Sequence, residues 1–406
     1  MPVTFQKETL PNGLTIVAET DPDAHTAAAG FFVKTGARDE DPSVMGVSHF
    51  LEHMMFKGTT RRSADDVNRH FDEIGASYNA YTSSELTCFH ACVLPERLPQ
   101  ATDILADILR PALRQSDYDT EKGVILEEIA MYKDQPFWVL YEAAMDKYYA
   151  PHPLAHRVLG TEDTIKALTR DQMQTYFDHR YSADNTTVAL AGRLDFKKTV
   201  EHIASLCGNW KRTGAKRAMG DVRAHSGDFE HRDPKVNRAY LLMVAPGPAI
   251  SDDRRYAAMM LTQVLGEADN SRLHWALVEP GIAEEVQAAY DPRDGCGDFY
   301  VFASCDPDRL PEIRAIIDRE IINLPNSLTE SDLERLRNKL ATGITLAGER
   351  PDGRMQRLGR NWTYLGACKT LEEELARINA VTLKEMKAVY EAFPFTPRMV
   401  GTTRPA

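Results

Sequence analysis

Apolar and polar residues alternate over the first 19 positions, break at Pro11-Asn12-Gly13 and resume, which predicts two strands joined by a turn. Ala27 to Lys34 is a nearly continuous apolar run, the pattern of a buried strand. Then the period changes. Val44, Val47, Leu51, Met54 and Met55 recur at the spacing of one helical face, so a helix is predicted here, entered through Asp41-Pro42-Ser43 with Ser43 as its N-cap. A second helix is capped by Ser63, carries Val67, Phe71 and Ile74, and stops at Gly75. Residues 77 to 94 alternate again and are rich in Tyr, Thr, Phe and Val, as strands are. Around residues 118 to 133 a third helix is predicted, with Val124, Ile125, Ile129 and Tyr132 on its buried stripe.

An internal repeat organises the chain. Pro95-Glu96-Arg97-Leu98-Pro99, preceded by a strand-like run and followed by a helical one, returns 212 residues later as Pro307-Asp308-Arg309-Leu310-Pro311 in the same setting. Two similar α/β domains of about 200 residues each follow from this. Lys211 to Asp233, with no apolar period, is the expected linker, which divides the chain into 1–210, 211–233 and 234–406. The counterpart of the first predicted helix, YAAMMLTQVLG at 256 to 266, has no ligating side chain.

Composition narrows the classes. Charged residues at 27% and apolar ones at 43% describe an ordinary soluble globular chain. A net charge of −12 argues against nonspecific nucleic-acid binding and is compatible with basic peptide substrates. No stretch approaches the roughly 18 apolar residues of a membrane span, and the start lacks a signal-peptide pattern, so a cytoplasmic location is expected. The six cysteines show no CxxC pairing and read as free thiols of a reducing compartment.

The first predicted helix also carries candidate chemistry. At about 3.6 residues per turn, His49, Glu52 and His53 project from one stripe, opposite the apolar face. A His pair at this spacing is most often a solvated polar face; it becomes a metal site only with a third ligand. In the helix around 118 to 133, Glu121 and Glu128 fall within the apolar stripe, seven residues apart, whereas Glu127 points to the polar side. A carboxylate on a buried face needs a cation. A zinc ion shared with His49 and His53, or a Lys or Arg, would serve Glu128. In the zinc reading Glu52 is the natural base for a water, and Glu121 lies close by as a supporting carboxylate.

His-x-x-Glu-His, followed by a Glu 75 positions after the second His, resembles the inverted zinc signature of the pitrilysin and mitochondrial processing peptidase family, the inverzincins. HFLEHMMFKGT, NAYTSSELT at 79 to 87, EKGVILEEIAMY at 121 to 132, HPLAHRVLGT at 152 to 161 and SRL at 271 to 273 are similar to family blocks in the same order. The resemblance implies an α+β fold of two homologous α/β-sandwich domains, mostly antiparallel sheet with helices packed on it, forming half of a clamshell chamber. It further implies a zinc endopeptidase acting on peptides or unfolded polypeptides. His49, His53 and Glu128 are then the Zn2+ ligands, Glu52 the general base and Glu121 an assisting residue. Asn79 and Ala80 match the family's edge strand, to which substrate adds, and the second domain walls the chamber.

One departure bears on the partner. Family members built from one kind of subunit usually carry an Arg and a Tyr just after SRL that bind substrate and polarise the scissile carbonyl. Here Pro280 and Glu284 stand at those places, and neither supplies such a hydrogen bond. The resemblance therefore implies the zinc-bearing subunit of a heterodimer whose homologous partner lacks the zinc motif and supplies Arg and Tyr. A homodimer using Arg272 or Tyr290 is the rival arrangement. A structural or peptide-binding subunit without catalysis is the alternative function.

Overall fold

The structure is a computed structural model that describes residues 3–406. Six strands, β1 (Thr4–Thr9), β2 (Thr15–Thr20), β3 (Ala27–Val33), β4 (Ser77–Thr82), β5 (Thr87–Val93) and β6 (Thr186–Gly192), form one sheet in the order β1-β2-β6-β3-β5-β4. β7 (Gly227–Arg232), β8 (Ala239–Gly247), β9 (Glu285–Pro292), β10 (Gly297–Cys305) and β11 (Met399–Arg404) form another in the order β7-β11-β8-β10-β9. Neighbours are antiparallel except β2 with β6 and β7 with β11. Helices pack on both sheets, so the α+β class with two sandwich domains holds.

The first half of the chain supplies helices α1 (Val47–Met55), α2 (Ala64–Glu73), α3 (Leu98–Ile108), α4 (Gln115–Tyr132), α5 (Pro136–Tyr149), α6 (Glu162–Ala167), α7 (Arg170–Arg180) and α8 (Phe196–Cys207). The second half supplies α9 (Arg255–Gly266), α10 (Leu310–Ser327), α11 (Glu330–Glu349), α12 (Pro351–Leu365), α13 (Leu371–Ala380) and α14 (Leu383–Ala392). Both copies of the repeat fold alike: a single 3-10 turn, Pro95–Arg97 or Pro307–Arg309, leads directly into α3 or α10.

The compact units are not consecutive in sequence. One comprises residues 1–129, 156–218 and 345–370, the other 130–155, 219–344 and 371–406. These units differ from the expected division at 210 and 234, and the cause is two-faced burial. In β3, Ala27, Ala29, Phe31 and Val33 face the core beneath α1 and α3, while Ala28 and Phe32 face a second core made with Met355 and Leu358 of α12. In β8, Leu241 and Met243 face the core with α9, while Leu242 and Val244 pack with Leu140, Ala144 and Tyr148 of α5. Each sheet thus has two apolar faces, and the second is covered by a helix from the opposite half of the sequence.

Three local expectations change. The linker reading of 211–233 included β7, a polar sequence, Gly-Asp-Phe-Glu-His-Arg, that forms an edge strand through its backbone. Ser43 does not cap α1: it sits in a 3-10 turn capped by Asp41, and α1 begins after Gly46, whose φ of 96° a side chain rarely adopts. On α4 the buried residues are Tyr118, Glu121, Ile125 and Ile129, and Val124 is exposed.

The seat of α12 gives a direct test. A Cβ on Gly359 would lie 2.0 Å from the buried ring of Phe32. Gly359→Ala is expected to cost about 1–3 kcal/mol through overpacking. Thermal unfolding should show a clear fall in Tm; a melting temperature within about 1 °C of the wild type would contradict this packing.

Candidate metal centre

α1 is held at its N-terminus by Glu40. The two carboxylate oxygens accept from the backbone N–H groups of Gly46 and Ser48, each at 2.7 Å, and so satisfy amides that a helix start leaves unpaired. Burial pushes Glu40 up to about 8 against the opposing pull of those donors. The apolar face, Val47, Phe50, Leu51, Met54 and Met55, is fully packed, and Phe50 stacks on Tyr118 of α4 at 4.9 Å between ring centres. This fixes α1 against α4, and with it the two imidazoles against Glu128.

His49 and His53 stand with ring centres 4.7 Å apart. Their Nε2 atoms lie 3.8 and 3.6 Å from Oε2 of Glu128, too far for hydrogen bonds. Around a tetrahedral ion with bonds of about 2.1 Å, neighbouring ligand atoms stand about 3.4 Å apart, so this spacing fits three donors around one small cation. Among the described residues these three side chains are the group whose donor atoms could hold a metal ion, all within 4.8 Å of one another. Two imidazoles and a carboxylate form a donor set that zinc accepts.

The surroundings tune each group. Nδ1 of His53 bonds Oε1 of Glu121 at 2.8 Å, which turns its Nε2 toward Glu128. Burial works against the His53 charge, but Glu121 and Glu128 outweigh it and raise its pKa above 6.5. His49 has no such tether: its Nδ1 is buried without a partner, and burial together with the His53 charge lowers it to about 4. It is a neutral imidazole at pH 7. Glu121 also receives the Lys57 ammonium at 2.6 Å, and although burial pushes its carboxyl up, the bonds from His53 and Lys57 hold it below the ordinary value. Burial raises Glu128 above the ordinary carboxyl value.

Glu52 stands beside these ligands and is raised by burial, while Thr82 opposes this by donating from Oγ1 to Oε2 at 2.6 Å. That bond ties α1 to the end of β4, the edge strand. β4 pairs only with β5, with Asn79 opposite His90 and Ala80 opposite Phe89, so its outer side is unpaired. Thr82, Lys57 and Glu40 went unmarked in the sequence reading. Lys57, four residues after His53, and Thr82, two after Ala80 on the same strand face, were within reach of spacing arguments; Glu40 was hidden by the intervening turn.

In the second unit the expected rival donors are already engaged. Arg272 is ion-paired with Asp332 at 2.6 Å, and the Tyr290 hydroxyl donates to the Pro248 carbonyl at 2.7 Å. Glu284 is paired with Arg238. No described helix is long and apolar enough to cross a membrane.

Fold and side-chain geometry describe a two-unit α+β protein with one His, His, Glu group that could hold a cation and a carboxylate beside it. The chain belongs to peptidase family M16. The model of the insulinase domain of that family matches residues 15–162, and the model of its inactive domain matches 167–340. It is 34% identical over 400 residues to an uncharacterized zinc protease of Streptomyces coelicolor, covering 95% of this chain and 86% of the relative. It is 30% identical over 388 residues to the uncharacterized zinc protease YmxG of Bacillus subtilis, covering 95% and 94%. A protease from Helicobacter pylori has the same fold, with a TM-score of 0.94 at 18% identity over the whole of both chains.

Because His53 must give up its proton to ligate, metal affinity should fall as pH drops through its raised pKa, whereas His49, already neutral, adds no dependence there. Chelator competition between pH 8 and pH 6, corrected for the chelator's own protonation, is expected to show zinc binding weakening toward the acid end. A flat profile would contradict the assignment of His53.

Proposed function

We propose that this chain is the metal-bearing subunit of a zinc endopeptidase that cleaves peptides or unfolded polypeptides. The observation that carries this reading is the convergence of His49 Nε2, His53 Nε2 and Glu128 Oε2 beside the carboxylate of Glu52, which accepts from Thr82. His49, His53 and Glu128 would hold zinc, which would supply Lewis acidity for peptide hydrolysis. Glu52, raised by burial and oriented through Thr82, takes the proton of the attacking water and passes it to the leaving amine. Glu121, charged by its contacts with His53 and Lys57, keeps the His53 ring turned to its task. Substrate adds as a further strand along β4, where Asn79 and Ala80 offer backbone groups regardless of its sequence. The six cysteines, none joined in a disulfide, agree with a cytoplasmic home.

The same reading makes the subunit incomplete. Pro280 has no side-chain donor, Glu284 is paired with Arg238, and Arg272 and Tyr290 are spent within their own unit. A homologous partner supplying Arg and Tyr completes the reaction.

The test is turnover of a quenched-fluorescence peptide by the zinc-loaded chain alone and mixed with such a partner. The pair is expected to exceed the chain alone by about 100-fold to 1000-fold, the usual worth of one oxyanion donor. In the pair, Glu52→Gln should keep its zinc and lose about 100-fold or more in kcat. Ordinary turnover by the chain alone removes the need for a partner. Undiminished turnover by Glu52→Gln makes the residue a bystander, and absence of cleavage by the pair favours a peptide-binding or structural subunit.

A further inference from the structure

Away from the metal centre, the C-terminal ends of α3 and α7 and the residues after α8 enclose a cavity of about 480 Å³, lined by Arg61, Arg110, Phe177, Asp178, Trp210 and Lys211 among others. Its volume is in the range of small-ligand sites, about 300–1000 Å³. Arg110 lies in its wall with an unusual set of contacts. The guanidinium carbon sits 3.5 Å from the centre of the Trp210 ring and 5.7 Å from that of Phe177. Its one hydrogen bond runs from Nη1 to the carbonyl of its chain neighbour Leu109, at 2.6 Å.

The other largely buried arginines of this unit each have a carboxylate. Arg38 meets Glu85 at 2.6 Å, Arg62 meets Asp107 at 2.7 Å, Arg180 meets Asp39 at 3.1 Å, and Arg217 meets Asp39 at 2.8 Å. Arg110 has none within ion-pair distance; Asp178 acts on it only from farther away, and burial lowers its pKa to about 10. A half-buried charge without a counterion is costly. Stacking on Trp210 holds the guanidinium plane and leaves Nε and Nη2 as unspent donors, the fork that grips an oxyanion with two parallel bonds. Lys211, exposed at the mouth, is likewise free of any ion pair, and Arg61, though shared with Asp103 and Asp107, adds positive charge at the rim.

We propose that this cavity binds a small oxyanion of the phosphate class, gripped by the Arg110 fork and attracted by Lys211. Three lining cations, Arg61, Arg110 and Lys211, outnumber the two lining carboxylates, Asp107 and Asp178, and Asp107 is already engaged by Arg61, Arg62 and Thr59, so the cavity keeps a net positive charge that favours an oxyanion, with room for the small molecule that bears the phosphate. The site does not depend on the peptidase reading, since none of its groups touches the metal ligands.

Titration of the full chain with inorganic phosphate at constant ionic strength, followed by calorimetry and by phosphorus NMR, tests this. Saturable binding with a Kd near about 1 mM is expected. Acetate should bind at least about 10-fold more weakly. Arg110→Gln, confirmed folded by circular dichroism, should weaken phosphate by about 10-fold or more, and the surface variant Lys211→Gln by about 3-fold. Absence of saturation up to about 20 mM phosphate overturns the proposal. So does acetate binding as tightly as phosphate, or unchanged affinity in folded Arg110→Gln. Should Arg110→Gln fail to fold, Lys211→Gln decides: wild-type affinity in that variant equally overturns it.

Discussion

The contact between α1 and α4 is the constraint on which the rest of the site depends. Two imidazoles on one helix and a carboxylate 75 residues further on meet only because Phe50 stacks on Tyr118, and because Glu121 takes Nδ1 of His53 on one side and Lys57 on the other. The first contact is apolar and sets the distance between helices. The second is polar and sets the rotation of a single ring. Neither suffices alone: packing would leave the His53 ring free to turn, and a hydrogen bond between exposed helices would be worth only about 1 kcal/mol. Glu40, buried and bonded to two amides, fixes the start of α1 so that this register is kept.

The sheets explain why the units interleave. β3 and β8 are apolar on both faces, and such strands must be covered twice. The chain uses local helices for one face and lends one helix from each half for the other. Glycines at the contact, such as Gly30 beneath Met355 and Gly359 against Phe32, let α12 approach closely. The repeat therefore describes the order of the elements better than the boundaries of the compact units.

Much of this was legible in the residues. The change of period at Val44, the Ser63 cap, the buried strand at Ala27 and the paired Pro-x-Arg-Leu-Pro turns all read directly, because local chemistry decides them. His49, His53 and Glu128 were expected together from the helical spacing and the family resemblance, and their donor atoms lie within 4.8 Å of one another, although Glu128 is half-buried rather than on the buried stripe of α4. The misses come from contacts that the local apolar period does not encode. Val124 was assigned inward by counting apolar neighbours, whereas Tyr118 and Glu121, fixed by Phe50 and His53, decide which way α4 faces. Ser43 lost its capping role to a carboxylate six residues before Gly46, across a turn. β7 has no apolar alternation to reveal it, since its place comes from backbone pairing with β11. The exchange of α5 and α12 leaves no local mark at all.

On the proposed function, α1 and α4 together build one open cation site from two imidazoles and a carboxylate. Zinc K-edge X-ray absorption on the zinc-loaded chain tests it most directly. The account predicts one zinc per chain with nitrogen and oxygen neighbours only, at about 2.0–2.2 Å, two of them showing imidazole outer-shell scattering. A sulfur neighbour near about 2.3 Å, or fewer than two imidazoles, would contradict it.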